Sequence, residues 1–404
     1  MLFSIAKTSP RCLDVESISE DVTTVPTDAA IESMDITDLN NSSSSDLIAQ
    51  QRNRIESLEN MVAQLRGKLQ EAMTADVVTS FDNCTSIDND AYSESYGHFS
   101  IHQEMLQDKV RTESYRNAIL NNSSTFKDKV VIDLGCGTGI LSMFAVQAGA
   151  RHVYAVDMSD IAFNAMDIVR ENKFEDRITV KHGRIENLEL DEKIDIVISE
   201  WMGYGLLFEC MLESVLYARD KLLAPTGLVL PDKYELYLTG LGDEEMHGRN
   251  VGFWDNVYGF SMGCMKSEVI KEASVTSVSP ECLLCRPVLL KEYDLNNRDQ
   301  SVNSMEFVSE WTLSMDKSGA FVGWVLYFDT AFQNGCETAV KFSTSPESTT
   351  THWKQTVFLL PEPKKVSLGE CLTGKVAFRR DSKDLHALRI LFQFSGMKFA
   401  YHLR

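Results

Sequence analysis

Two glutamates, Glu200 and Glu209, stand nine positions apart in "ISEWMGYGLLFECM", around a glycine-containing, aromatic loop that follows the apolar run "IDIVIS". Taken alone, the residues leave two uses open: a functional acid pair at a strand end, or two loop glutamates paired with surface Lys or Arg. A second constellation lies upstream. "VVIDLGCGTG" sets Gly135, Gly137 and Gly139 at a strand-to-helix turn, where missing side chains let the backbone approach a ligand closely. The spacing is G-x-G-x-G, not the dinucleotide G-x-G-x-x-G. Asp133 precedes this loop, and Asp157 ends the next apolar run about twenty residues beyond the first glycine, where a carboxylate can accept from both hydroxyls of a ribose. Met158 and Ser159 follow it into the same pocket. Glu186, in "HGRIENLEL", is placed to accept from an adenine amino group, or is a solvated loop acid. Asp133, Asp157 and Glu186, without a Lys-Ser/Thr phosphate cradle, point to a nucleoside without phosphates, and S-adenosylmethionine, a nucleoside bearing a sulfonium cation and an amino-acid group, fits.

These residues need a frame. From about Ala91 the chain alternates buried strands ("KVVIDLG", "HVYAVD", "ITVKHG", "IDIVISE") with helices ("ILSMFAVQAGA", "IAFNAMDIVRENK"). That alternation predicts an α/β, doubly wound parallel sheet with ligands at the carboxyl ends of its strands. After Pro231 short alternating strands such as "KYELYLTG", "FVGWVLYFDT" and "KVAFRR" predict an antiparallel barrel or sandwich. The expected boundaries are a nucleotide-type domain at 91–231 and a β-barrel at 232–404.

Upstream, residues 1–45 are polar and acidic, with "DLNNSSSSDL" as the plainest low-complexity run, and read as a disordered tail. Residues 46–74 place Ile48, Ile55, Leu58, Val62, Leu65 and Leu69 on one helical seam. Such a helix either docks on its own chain or pairs with another. Residues 75–90 read as a linker.

Composition bounds the class. The 404 residues, 44% of them hydrophobic, suffice for two to three domains with sizeable cores, and no run of about eighteen apolar residues suits a membrane span. The first residues lack the order of a secretory signal, so the expected compartment is the cytoplasm, with the nucleus as a second location. Nine scattered cysteines suit reduced thiols, and "CLLC" lacks the second pair of a zinc site; no metal is expected. A net charge of −20 argues against direct nucleic-acid binding and for cationic partners.

Three motifs then become recognisable in order. "YGHFSIHQEMLQDKVRTESY" resembles the cofactor-covering helices of the protein arginine N-methyltransferases, "ISEWMGYGLLFE" their double-glutamate loop, and "STTTHWKQTVFLL" their Thr-His-Trp loop. The resemblance spans residues 91–404. Within the family, "LLFE", "FWDNVYGF" and the preceding helix are similar to a type I branch that normally carries an N-terminal zinc finger and acts on ribosomal proteins. Two departures stand out. Cys12 and Cys84 precede His98 with no earlier histidine, so no Cys₂His₂ finger can form, and Ser93 replaces the usual Phe between Tyr92 and Tyr96.

The resemblance implies a use for the acid pair: Glu200 and Glu209 would grip the guanidinium of a substrate arginine, whose five donors in a rigid fork match converging carboxylates. It further implies that Arg111 binds the methionyl carboxylate and steadies Glu200, that His102 and Tyr96 lie near the cofactor, and that Met105, Met211 and Trp353 shape the arginine slot. His352 would meet Asp108, a pair that either relays a proton or holds the helix closed. The implied reaction is type I: methyl transfer from S-adenosyl-L-methionine to arginine in proteins, giving mono- and asymmetric dimethylarginine and S-adenosyl-L-homocysteine. Basic or Arg/Gly-rich proteins, ribosomal proteins among them, are the expected substrates. Residues 249–265, "RNVGFWDNVYGFSMGCM", resemble the family's dimerisation arm, so a homodimer is expected; the alternative is a loop packed on its own barrel. Two other functions stay open: a monomethylating enzyme, and an inactive cofactor-binding scaffold acting through the acidic N-terminal coil.

Overall fold

The structure, a computed structural model, describes residues 99–190, 192–299, 305–382 and 384–404. The expected tail, coil-like helix and linker lie outside these residues, as do Ser93 and Tyr96.

Two helices lead in: α1 (Phe99–Gln107) and α2 (Lys109–Leu120), followed by the short α3 (Ser123–Phe126). Asp108 separates α1 from α2 and caps α2, its side chain accepting from the Arg111 amide at 3.0 Å. Strands and helices then alternate through β1 (Val130–Leu134), α4 (Ile140–Gln147), β2 (His152–Asp157), α5 (Ile161–Glu171), β3 (Ile178–His182), β4 (Ile194–Ser199), α6 (Leu212–Lys221) and β5 (Leu223–Leu230). All five strands run parallel in the order β3-β2-β1-β4-β5. Successive strands step one way from β1 and the other way from β4. The crevice between those two carboxyl ends is therefore where such a sheet binds ligands. β1 is buried along its whole length, Asp133 included, as its Val/Ile-rich pattern between covered faces leads one to expect. β5 escaped the sequence reading because "LAPTGLVL" carries Pro225 and Gly227; it is an edge strand whose pairing with β4 shifts register between Ile194 and Ile196.

Among the described residues the second half holds ten strands, beginning with β6 (Lys233–Leu241). A projection follows, made of α7 (Glu244–Asn250), single turns at Gly252–Asp255 and Gly263–Met265, and α8 (Lys266–Val269). The chain returns through β7 (Ser274–Thr276), β8 (Val288–Asp294), β9 (Phe307–Ser314), β10 (Gly319–Phe332), β11 (Val340–Ser343), β12 (Gln355–Val366), β13 (Cys371–Arg380), β14 (Leu388–Phe394) and β15 (Met397–Leu403). One antiparallel sheet runs β7-β12-β10-β6-β8 with β11 on β10, the other β15-β14-β13-β9. Bridges Cys285–Met315 and Glu272–His402 join the two sheets at both margins, which closes the pair into a flattened barrel. Inside, Trp324 is fully buried, stacked on Phe392 at 4.2 Å between centroids and edge-on to Phe321 at 5.4 Å. The barrel and the parallel sheet share one continuous core.

The arm projects rather than folding back. Tyr258 is 97% exposed and Phe260 70%, and a tight Val257–Phe260 bridge presents them together. Cys285 packs in the barrel, where its sulfur accepts from the Gly240 amide at 3.3 Å, and no metal-binding group of side chains occurs among the described residues.

Replacing Trp324 by Ala empties the centre of the barrel core. Chemical denaturation is expected to show a loss of about 3–5 kcal/mol, whereas Tyr258→Ala at the exposed tip is expected to stay within about 0.5 kcal/mol of the parent at monomeric concentrations.

Candidate active site

A cavity of about 430 Å³ opens at the carboxyl ends of β1, β2 and β4, roofed by α1 and walled on the far side by the barrel. The glycine loop after β1 forms its floor. Gly135, Gly137 and Gly139 have φ of 72°, 52° and 80°, a left-handed run that glycine adopts without steric cost. Space is also scarce: a Cβ at Gly135 would sit 2.5 Å from Met211 Cε, and one at Gly137 would sit 3.3 Å from His102 Nδ1. Met211 and the buried His102 thus lie directly over the loop. Their positions explain why both line the cavity.

The acids expected at strand ends part company. Asp157, Met158, Ser159 and Glu186 line the cavity. Asp157 accepts from the Gly137 amide (2.9 Å), the Ser159 amide (2.9 Å) and the Ser159 hydroxyl (2.7 Å). Three of about four lone-pair directions on its carboxylate are thereby engaged by its own chain, so the expected grip on both ribose hydroxyls requires some of these bonds to exchange. Glu186 accepts from the Ser214 hydroxyl at 2.6 Å, which anchors it beside the cavity.

Asp133 does not line the cavity, and the expectation that it contacts the cofactor is corrected. It is wholly buried beneath the loop and accepts from the Ser142 amide (2.9 Å) and hydroxyl (2.7 Å), tying β1 to α4. Sequence placed it next to the loop; side-chain alternation along β1 sends it away from the ligand. Burial pushes its carboxyl up to about 6, against the pull of the two Ser142 hydrogen bonds.

The double-glutamate loop leaves β4 with Glu200. Arg111 Nε donates to Glu200 Oε2 at 2.8 Å, and both side chains are more than nine-tenths buried. Glu200 Oε1 also accepts from the Met202 amide at 3.3 Å. Arg111 Nη1 is buried without a hydrogen-bond partner while its residue lines the cavity. An anionic ligand group there would satisfy it, which suits the carboxylate of a bound amino-acid moiety.

Beyond Glu200 the chain turns on itself: Gly203 and Leu206 exchange hydrogen bonds, and a Cβ on Gly203 would lie 2.0 Å from the Phe208 carbonyl oxygen. Leu206, Glu209 and Cys210 have φ of 71°, 75° and 60°. Non-glycine residues hold such angles only where surrounding contacts over-determine them. Trp353 Nε1 donates to the Met202 carbonyl at 2.6 Å and secures one side of the loop. The result brings Glu200, Glu209, Met105, Met211, His352 and Trp353 to one cavity.

His352 reaches Asp108 through its ring (Nδ1 to Oδ2, 2.7 Å) and its amide (2.8 Å). Burial alone would raise the Asp108 carboxyl, but the His352 ring bond and the Arg111 and His352 amides hold it below its ordinary value. Asp108 is absent from the cavity wall while His352 is part of it. The pair ties the barrel to the start of α2, with His352 facing the cavity.

Sequence reasoning missed Tyr204, Cys136, Cys210, Arg380 and His386, which also face the cavity. Burial raises both thiols, Cys210 to about 12, so neither is a ready nucleophile. Cys210 and Tyr204 could have been found beside the acid pair; nothing local marked Arg380 or His386.

A parallel sheet of this order, with a glycine loop and acids at its strand ends and a barrel beside it, defines a Rossmann-like S-adenosylmethionine-dependent methyltransferase. Residues 118–206 match the family described as "Ribosomal protein L11 methyltransferase (PrmA)", and residues 232–398 match the "Arginine methyltransferase oligomerization subdomain". The chain is 44% identical to Protein arginine N-methyltransferase 1 of Chlamydomonas reinhardtii over 310 residues, 76% of this chain and 89% of that protein. It is 44% identical to Protein arginine N-methyltransferase 1.1 of Arabidopsis thaliana over 323 residues, 80% and 82% of the two chains. Among solved structures it resembles the Trypanosoma brucei PRMT1 enzyme-prozyme heterotetrameric complex with AdoHcy, with a TM-score of 0.73 at 39% identity over 77% of this chain and 100% of that one. Arabidopsis thaliana protein arginine methyltransferase 10 follows with a TM-score of 0.67 at 29% identity over 78% and 100%. The chain belongs to the protein arginine N-methyltransferase family. Neither curated relative is described as a zinc-finger member, so that branch resemblance rests on the motifs alone.

The buried Asp133 predicts a pH signature in the cofactor-free protein. Its folded value of about 6 lies above the ordinary 3.8, so between those limits the folded state keeps a proton that the unfolded chain has released. Stability conferred below pH 4 is accordingly lost as pH rises to 6. Asp133→Asn does not titrate. Denaturation at both pH values is expected to show the variant gaining on the parent by up to about 3 kcal/mol across this interval, each pH unit being worth about 1.4 kcal/mol.

Proposed function

We propose that this chain is a type I enzyme that transfers methyl groups from S-adenosyl-L-methionine to guanidinium nitrogens of arginine in proteins, giving mono- and asymmetric dimethylarginine. The observation that carries this reading is the buried Arg111–Glu200 pair at 2.8 Å, facing the same cavity as Glu209 and the glycine loop. Arg111 holds Glu200 fixed and offers its remaining donors to the carboxylate of the cofactor. Asp157, Ser159 and Glu186 hold the nucleoside end. Bound S-adenosyl-L-methionine supplies the electrophilic methyl group.

Glu200 and Glu209 grip the arginine side chain from its fork. Their charge offsets the repulsion of bringing a guanidinium against a sulfonium, and draws positive charge from the attacking nitrogen. Arginine's ordinary pKa above 12 means that deprotonation in solution supplies almost none of the reactive form. Orientation and fixed negative charge therefore carry most of the acceleration. Met105, Met211 and Trp353 bound the slot, and the His352–Asp108 latch keeps α1 and α2 over it.

The exposed arm supports a homodimer as the working assembly, since an apolar tip of this size presented to solvent is the kind of surface that pairs. The acidic balance of the chain supports basic or Arg/Gly-rich protein substrates, with ribosomal proteins as one class to try.

Mass spectrometry of an Arg/Gly-rich peptide incubated with S-adenosyl-L-methionine is expected to show asymmetric dimethylarginine. Glu200→Gln keeps the shape but loses the charge, and its rate is expected to fall by at least about 10²-fold with the fold unchanged by circular dichroism. A product limited to monomethylarginine would favour the monomethylating alternative, and cofactor binding without turnover the scaffold.

A further inference from the structure

Glu209, the second acid, carries a left-handed backbone (φ 75°) followed by another at Cys210 (φ 60°), so something must hold its peptide in place. The holding group comes from the far side of the cavity. The turn between β13 and β14 delivers His386, whose backbone carbonyl accepts from the Glu209 amide at 2.8 Å and whose ring Nδ1 donates to the Glu209 carbonyl at 2.9 Å. One residue thus binds both polar groups of Glu209's main chain.

The turn is itself anchored. Arg380, at the end of β13, donates from Nε to the Leu385 carbonyl (2.8 Å) and from Nη1 to Glu213 on α6 (2.7 Å). The Asp384 side chain accepts from the His386 amide at 3.0 Å. These contacts fix the backbone of the turn that carries His386. Burial lowers the pKa of that ring, against the opposing pull of its bond to Glu209, so near neutral pH it is uncharged. A neutral ring can steady the acid without setting a cation beside the site where arginine binds.

We propose that His386 is a positioning residue for the reaction: its Nδ1–H and carbonyl clamp the Glu209 main chain, so that the barrel sets the aim of the second arginine-binding carboxylate. This rests on the reading of Glu209 as an acceptor-binding residue. The proposal distinguishes His386 from a residue that merely fills space, because only a donor at the Nδ1 position satisfies the Glu209 carbonyl. Asparagine places its side-chain nitrogen near that position; glutamine places it near the other ring nitrogen.

The test uses the full chain with an Arg/Gly-rich peptide and compares parent, Glu209→Gln, His386→Ala, His386→Asn and His386→Gln by steady-state kinetics, with cofactor affinity from calorimetry. His386→Asn is expected to stay within about twofold of the parent. His386→Ala and His386→Gln are expected to lose about tenfold in kcat/KM for the peptide, a misplacement effect, with cofactor affinity within about twofold. Parental efficiency in His386→Ala overturns the proposal, and so does equal impairment of all three His386 variants or a parallel loss of cofactor affinity. If His386→Ala is insoluble, the Asn and Gln variants decide. A parent that methylates while Glu209→Gln does not keeps the arginine-binding reading intact whatever the His386 result; a parent with no transfer to arginine overturns both.

Discussion

The buried ion pair between Arg111 and Glu200 is the contact around which this molecule is arranged. Taking two charges out of water costs several kcal/mol per ion unless geometry and further hydrogen bonds compensate. Here Glu200 has the Arg111 Nε on one oxygen and the Met202 amide on the other. Arg111 meets it from the first turn of α2, which Asp108 caps and which His352 ties, through Asp108, to the barrel. The stability of the pair therefore depends on both halves of the chain, and so does the charge pattern it presents to a ligand.

The same dependence governs the double-glutamate loop. Its run of left-handed residues would relax in an isolated peptide. Trp353 from the barrel fixes the Met202 carbonyl, and the β13–β14 turn fixes Glu209, so the two acids are oriented from opposite ends by a domain to which neither belongs. Other stitches run alongside: Trp201 donates to the Tyr234 hydroxyl at 2.8 Å, and Asn122 exchanges two hydrogen bonds with Thr338. The barrel is thus part of the construction of the cavity that both acids line.

The parallel sheet was legible because each signal was local. A short β-branched run such as "VVIDL", apolar but for Asp133, reads as a buried strand, and a glycine loop between it and a helix marks a ligand-facing turn. β5 was not legible, since Pro225 and Gly227 break the pattern that its neighbour β4 restores by pairing. Asp133 and Asp157 were both expected at the cofactor pocket. Strand pleating then buried one beneath the loop and left the other at its rim, a distinction that exists only once β1 and β2 lie side by side.

By itself, then, the sequence determined the cofactor fold, the acids at its strand ends and the family motifs, because period, turn chemistry and residue type act over a few neighbouring positions. Tertiary structure alone decided which acids face the cavity and that His386 reaches Glu209 across 177 residues of chain. Such contacts carry no local signature. They arise when the closed barrel brings the ends of distant strands against the crevice of the parallel sheet, where burial makes an unmet polar group costly and so fixes its partner.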